Sequence, residues 1–286
     1  MPKLRKRPVT KDDIAEYLRT EDSFALELRT LAVLKGNGYE ASHGGIYTDP
    51  ISDKNREYDI RASITYKQFY IQLAVECKSL RPNFPLLVSC VQRREDEAYH
   101  DLVVSQHKPA CVDPYQASTI RMNRVHSLYT VGGYVGKSAV QIGLPADNNA
   151  EGFVTSDAEF FDKWTQAVSS AYDLFVNATR QSETIRITAV LPILVIPDGT
   201  MWQVLYASDG REVGPPTEAS ESNLFMGKTY ALQSAIGKVK FTISHLHIFE
   251  FSRFQHFVNQ LRNENEITDA LFPTERINDF LGTNFR

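Results

Sequence analysis

The sequence predicts an α/β fold, on three observations. Two extended segments, 58–65 and 70–78, alternate apolar and polar residues, as half-buried strands do. Two segments, 22–35 and 156–178, carry apolar residues three or four positions apart, which marks one face of a helix. The segment 184–196 is apolar and rich in β-branched residues, which predicts a central strand.

The two alternating segments are predicted to form a β-hairpin that closes at Lys67-Gln68. If paired residue numbers sum to 135, every apolar residue of one strand faces an apolar residue of the other, as in Ile60–Val75, Ala62–Leu73 and Ile64–Ile71. The same register places Asp59 opposite Glu76. Lys-Gln is not a favoured two-residue turn, so a longer loop with this register is also open.

Two opposed carboxylates predict a divalent metal site. Directly opposed residues hold their Cβ atoms about 4.5 to 5.5 Å apart, and Mg²⁺ takes oxygen ligands together with water and phosphate. Lys78 shares the polar face with Glu76, so its ammonium could position a water molecule or stabilise a transition state. The alternative is a pair of solvated strands with ordinary surface charges.

Asp59 followed by Glu76-Cys77-Lys78 resembles the motif of the PD-(D/E)XK superfamily, although Tyr58 stands where the family name has proline. The resemblance implies a restriction endonuclease-like core, a central mixed β-sheet flanked by helices, and a metal-dependent nuclease or endonuclease. It implies Asp59 and Glu76 as catalytic metal ligands, Lys78 as the catalytic lysine, Mg²⁺ as the cofactor with Mn²⁺ able to substitute, and DNA as the expected substrate. A role in restriction or host defence follows by analogy alone.

Members of that family often add a glutamate from the helix before the hairpin, and Glu27 is the candidate for this catalytic, metal-binding position. The helix 22–35 is expected to be capped by Asp22 or Thr20 and to end at Gly36. Its predicted apolar stripe contains Phe24, Leu28, Leu31 and Leu34. Glu27 falls inside this stripe, where an acid is costly unless it is paired. The alternative is a bond from Glu27 to Arg29 or Arg61.

The chain is expected to divide into three segments. Residues 1–80 carry the helices and the hairpin of the nuclease core, 81–155 form a β-rich insertion that could recognise substrate, and 156–286 complete the core. In the last segment, 201–207 is predicted as a hairpin partner of the strand 184–196. A later strand, 240–251, and a helix, 252–263, are expected to complete or cover the sheet.

Several residues are candidate nucleic-acid contacts. Arg121 and Arg124 lie among tyrosines in the insertion, although acidic neighbours dilute their charge, and Lys137 and Ser138 follow a glycine and could touch a phosphate. Val131 stands where a P-loop requires glycine, so nucleotide hydrolysis is rejected. On the helix 156–178, Gln166 and Lys163 could approach the site or a phosphate, but a solvated helical face explains both.

Composition predicts an enzyme of the cytoplasm. The 286 residues contain only three cysteines, an odd and sparse set that fits a reducing compartment, and no apolar run long enough to cross a bilayer. The formal net charge of −4 neither requires nor excludes nucleic acid as the partner. A homodimer or a partner protein is left open, as is the main alternative, a non-catalytic subunit that binds nucleic acid or a partner on the same fold.

Overall fold

The computed structural model describes residues 7–20, 22–49, 51–66, 68–107, 115–146, 151–180, 184–234, 237–263 and 265–284. These residues form one large mixed β-sheet flanked by helices, so the predicted α/β class is confirmed.

The sheet contains thirteen strands within the described ranges. They are β1 (Glu40–Thr48), β2 (Asn55–Tyr66), β3 (Phe69–Cys77), β4 (Leu86–Gln92), β5 (Tyr99–His107), β6 (Tyr115–Asn123), β7 (Tyr134–Gly143), β8 (Val154–Ser156), β9 (Arg186–Ile196), β10 (Met201–Leu205), β11 (Thr217–Glu218), β12 (Glu221–Ser234) and β13 (Gly237–Glu250). The helices are α1 (Lys11–Thr20), α2 (Phe24–Gly36), α3 (Ala158–Ala178), α4 (Phe251–Asn263), α5 (Asn265–Leu271) and α6 (Thr274–Asn284).

The strands follow the order β1-β2-β3-β9-β13-β12-β7-β4-β10-β11, with β5, β6 and β8 attached beside this path. β9 is central, as predicted for the segment 184–196. One edge of β9 pairs in parallel with β3, and its other edge pairs first with β5 and then with β13. The β-rich segment 81–155 therefore contributes strands to the same sheet as the segments before and after it.

The β2–β3 hairpin has the predicted register. Ile60 pairs with Val75, Ala62 with Leu73, and Tyr66 with Phe69, so the paired residue numbers sum to 135. Lys67 of the turn lies outside the described residues. The apolar side chains of this hairpin share a core cluster with α2, α4 and α6, whereas Ala74 of β3 packs with α3. The helices therefore cover opposite faces of the sheet, and Glu76 shares the face of Ala74.

The buried face of α2 is rotated from the predicted apolar stripe, because Leu31 and Leu34 pack in the core as predicted but Phe24 and Leu28 do not. The buried residues are Leu26, Thr30 and Leu34, whereas Phe24 and Leu28 are about half exposed. These buried residues also recur at helical spacing, so the sequence pattern fits both faces. Ser23, rather than Asp22 or Thr20, occupies the N-cap position.

The C-terminal segment differs from the prediction at β10. This strand is not the hairpin partner of β9, because it pairs in parallel with β4 and also with β11. The side chain of Glu250, at the end of β13, accepts the backbone N–H groups of Thr200 and Met201 and so fixes the turn between β9 and β10. The long strand β12, which the sequence pattern does not predict, is the antiparallel partner of β13.

Candidate functional site

Asp59 and Glu76 lie together at the open end of the β2–β3 hairpin. The backbone N–H of Asp59 donates to Oε1 of Glu76 at 3.3 Å, and the N–H of Cys77 donates to Oδ2 of Asp59 at 2.8 Å. Each side chain is thus held by the backbone of the opposite strand. The predicted meeting of these two carboxylates is confirmed.

A third side chain, Lys163 of α3, joins the two carboxylates. Its ammonium donates to Oδ1 and Oδ2 of Asp59 at 2.9 and 2.8 Å, and to Oε2 of Glu76 at 3.1 Å. The interpretation of Lys163 as part of a solvated helical face is therefore wrong. The cation between the carboxylates in this structure is an ammonium supplied by the chain itself.

The three charges are largely removed from solvent. The side chains of Glu76, Asp59 and Lys163 are 1, 14 and 24 % exposed. Burial, followed by repulsion from Asp59, raises the pKa of Glu76 to about 8, although Lys163 acts in the opposite direction. Burial would lower the pKa of Lys163, but attraction to Glu76 and Asp59 outweighs it and raises that pKa above its usual range.

Arg61 forms a second polar group on the same face of β2. Its guanidinium donates to Oδ2 of Asp173 at 2.7 Å and to Oγ of Ser170 at 3.1 Å, and both residues belong to α3. The ring centroids of Tyr47 and Tyr58 lie 4.7 and 4.4 Å from Cζ of Arg61. Arg61 therefore ties α3 to the hairpin on the side of the carboxylates.

Gly45 of β1 leaves room for this arrangement. A Cβ atom at this position would overlap the ring of Tyr58, whose hydroxyl lies 3.2 Å from Oγ of Ser42. The ring can lie across β1 and beside Arg61 only because residue 45 has no side chain.

An open cleft of about 340 Å³ continues from Arg61 along β1, β2 and β3, lined by Ser42, Ser63, Gln72 and Leu174 among others. Two buried polar atoms in its walls, Nη2 of Arg61 and Oε1 of Gln72, have no hydrogen-bond partner among the described residues. Buried polar atoms without partners mark places where water or a polar ligand can bind.

The remaining catalytic candidates are Lys78, next to β3, and Glu27 of α2. Lys78 follows the last residue of β3, and its backbone N–H donates to the carbonyl of Val195 in β9. Glu27 accepts a bond from Ser23 and lies 2.9 Å from Nε2 of His43, which is neither of the two arginines considered as partners.

The structure does not join Glu27 to Asp59 and Glu76 as a ligand set. Across the described ranges, no three side chains of histidine, cysteine, aspartate or glutamate are grouped so that they could hold a metal ion. α2 packs on the face of the sheet opposite to α3, and Glu27 contacts His43 of β1.

The nucleic-acid candidates of the insertion have acidic partners. Arg121 donates two bonds to Asp101 and one to Thr242, Arg124 pairs with Glu95, and Lys137 donates to Glu97 at 2.6 Å. Ser138 lies on β7 beside Lys137, where it lines a second cleft of about 210 Å³ with Trp164 and Phe161. Gln166 is partly buried on α3. None of these arginine and lysine charges is uncompensated, so the insertion is a weaker candidate interface than its composition indicates.

Lys163 is the site residue that the sequence interpretation considered and set aside. A signal was present, because Lys163 lies three residues after the buried Phe160 and four before the buried Ala167. A lysine within such a stripe must find a counter-ion or turn away from the core. The polar faces of β2 and β3, with Asp59 and Glu76, supply that counter-ion.

Comparison of this chain with protein-family models, with curated proteins and with solved structures finds no match. No described helix is both long enough and apolar enough to cross a membrane.

Proposed function

We propose that this chain is a metal-dependent nuclease of the PD-(D/E)XK type that hydrolyses phosphodiester bonds in DNA. The observation that carries the proposal is the meeting of Asp59 and Glu76 on adjacent strands, with a lysine ammonium against both. Two carboxylates and a cationic side chain are a suitable set for holding Mg²⁺ and stabilising charge on a phosphate.

The order of elements also supports the proposal. α2 precedes the β2–β3 hairpin, α3 covers the face that carries the carboxylates, and β9 pairs in parallel with β3. This order of helix, hairpin, helix and strand is also the order of the core elements in the PD-(D/E)XK superfamily. The long connection from β3 to β9 contains the β4–β8 strands and α3.

The donor set fits Mg²⁺ rather than a metal that needs a closed protein cage. Mg²⁺ is usually bound through one or two carboxylates, with water and substrate phosphate as the other ligands. Asp59 and Glu76 would supply the carboxylates, and a bound ion would supply Lewis-acid stabilisation to the phosphate. Lys78 and Lys163 are the candidate lysines for positioning the nucleophile and stabilising negative charge.

The cleft beside Arg61 is the proposed path of the nucleic-acid strand. It begins on the face of β2 that carries Asp59, and its walls contain the partnerless atoms of Arg61 and Gln72. Arg61 is already paired with Asp173, so it would contribute hydrogen bonds to a strand more than net charge.

One observation favours a second function, a non-catalytic subunit that binds nucleic acid or a partner. The carboxylates already have a cationic partner, since Lys163 contacts three of their four oxygens. A buried ion-pair group of this kind can serve folding specificity alone. The chain would then keep the fold of a nuclease but would not hydrolyse phosphodiester bonds.

Cleavage assays separate the two functions. Plasmid, linear and single-stranded DNA, and RNA, are incubated with Mg²⁺ or Mn²⁺, and with EDTA as the metal-free control. We expect cleavage of DNA that needs the metal and is lost in Asp59→Asn and Glu76→Gln. Absence of cleavage of every substrate, with DNA binding retained, would favour the binding subunit.

The two lysines are compared in the same assay. Lys78→Ala and Lys163→Ala are tested beside Lys240→Ala, which removes an exposed lysine on β13. A loss of cleavage of about 100-fold or more in one of the first two variants identifies the catalytic lysine. Full activity in both Lys78→Ala and Lys163→Ala would show that neither lysine takes part in the proposed hydrolysis.

A further inference from the structure

The position of Lys163 has a consequence for metal binding, which rests on the proposed function of the site. The ammonium group lies within 3.1 Å of oxygens from both carboxylates. A Mg²⁺ ion held by the same oxygens would lie about 2.0 to 2.1 Å from them. Two cations so close to one another would repel strongly in a buried site.

The ammonium and the metal therefore need the same oxygens. Oδ2 of Asp59 also accepts the N–H of Cys77, and Oε1 of Glu76 accepts the N–H of Asp59. These backbone bonds hold the carboxylates in place, so Lys163 is the partner that a metal ion would displace. Lysine is suited to this part, because its charge sits on a long flexible chain.

We propose that Lys163 is the resident counter-ion of the Asp59–Glu76 pair and that a divalent metal must displace it. The displaced ammonium remains near the site on α3, where it can meet the negative charge of a bound phosphate. In the metal-free protein, Lys163 thereby compensates the negative charge of the largely buried Asp59–Glu76 pair. Metal and phosphate together would replace this internal ion pair.

Metal affinity tests the proposal without any measurement of cleavage. Mg²⁺ is titrated by calorimetry into the full chain carrying Lys163→Met, Lys163→Arg or no substitution. Methionine keeps the length of the side chain and removes the competing charge, so we expect Mg²⁺ to bind at least about tenfold more tightly. Arginine can donate two parallel bonds to a carboxylate, so we expect Lys163→Arg to bind Mg²⁺ more weakly than the unmodified protein.

Two controls sharpen the comparison. The Asp59–Glu76 pair holds a proton near neutral pH and holds it more firmly without Lys163, so titrations are run at about pH 7 and about pH 9 and affinities are compared at the higher pH. Lys240→Met is the control, because it removes the charge of an exposed lysine on β13. We expect it to leave Mg²⁺ affinity unchanged.

The result for the arginine variant keeps the test decisive if Lys163→Met fails to fold. Equal or weaker Mg²⁺ binding in Lys163→Met, or tighter binding in Lys163→Arg, would overturn the proposal. Failure of the displacement proposal can be distinguished from failure of the proposed nuclease function. Metal-dependent cleavage without the affinity changes would refute the displacement alone, and the affinity changes without cleavage of any substrate would refute the nuclease alone.

Discussion

Replacement of Glu76 by glutamine should change how stability depends on pH. Burial and Asp59 raise the pKa of Glu76 from its ordinary 4.5 to about 8. The folded protein therefore keeps this proton up to about pH 8, whereas the unfolded chain releases it near pH 4.5. The folded state binds more protons across that window, so its stability falls as pH rises.

The size of the effect follows from the same values. The interval from 4.5 to about 8, at about 1.4 kcal/mol for each pH unit, corresponds to about 5 kcal/mol at most. Movement of Lys163 or entry of water would reduce this difference in the free energy of unfolding. Glutamine has nearly the same shape and does not titrate, so Glu76→Gln lacks this pH-dependent loss.

Urea unfolding of the two proteins in EDTA, from about pH 4.5 to about pH 9, measures the difference directly. We expect the unfolding free energy of Glu76→Gln to rise relative to that of the unmodified protein as pH increases, and to level off above about pH 8. Lys163 stays charged throughout this range because its pKa is raised. A difference that is constant across the whole range would refute the burial of a titrating carboxyl group at residue 76.

Five further substitutions test the packing and the ion pairs by urea unfolding. Lys163→Met should cost about 3 kcal/mol at neutral pH, because it leaves the largely buried Asp59 carboxylate and Glu76 carboxyl group without their ammonium partner; a loss below about 0.5 kcal/mol would contradict the ion pair. Gly45→Ala should cost about 1 to 3 kcal/mol through overlap with the ring of Tyr58, whereas its control Gly36→Ala, with open space around the added atom, should not destabilise. Arg121→Ala should cost about 2 kcal/mol, because its partner Asp101 is buried, and Arg124→Ala less than about 0.5 kcal/mol, because Glu95 is exposed; equal losses would disprove this distinction.

The hairpin was predictable because its information is local. Alternation fixes which residues share a face, and the pairing of Ile60, Ala62 and Ile64 with apolar residues leaves one register that buries them all. A shift by one residue would expose this whole face. The opposition of Asp59 and Glu76 follows from that register without further assumptions.

The rotation of α2 was harder to predict. Phe24 and Leu28 fit an apolar stripe as well as Leu26 and Leu34 do, and Thr30 gives little reason to choose the second face. What selects the face is the sheet, where Thr30 meets the sulfur of Cys77 across the core. That contact joins residues 47 positions apart and leaves no local trace in the helix.

Lys163 illustrates the same limit for the site. Its contacts with Asp59 and Glu76 span 104 and 87 positions. The helical pattern indicates that α3 packs on a sheet, but not which strands lie beneath a given turn. The strand order determines which strands lie beneath α3, and it is not local, because β3 lies beside β9 and not beside β4, the next strand in the chain.

The separation between the hairpin and Lys163 bears on biosynthesis. Contacts between neighbours in the chain form sooner than those that close long loops. A ribosome therefore releases Asp59 and Glu76 well before it has made the helix that neutralises them. In that interval only protons or dissolved ions can screen the two acidic side chains of the nascent hairpin from each other. We therefore expect the cotranslational assembly of this part of the sheet to depend on the ionic composition around the emerging chain.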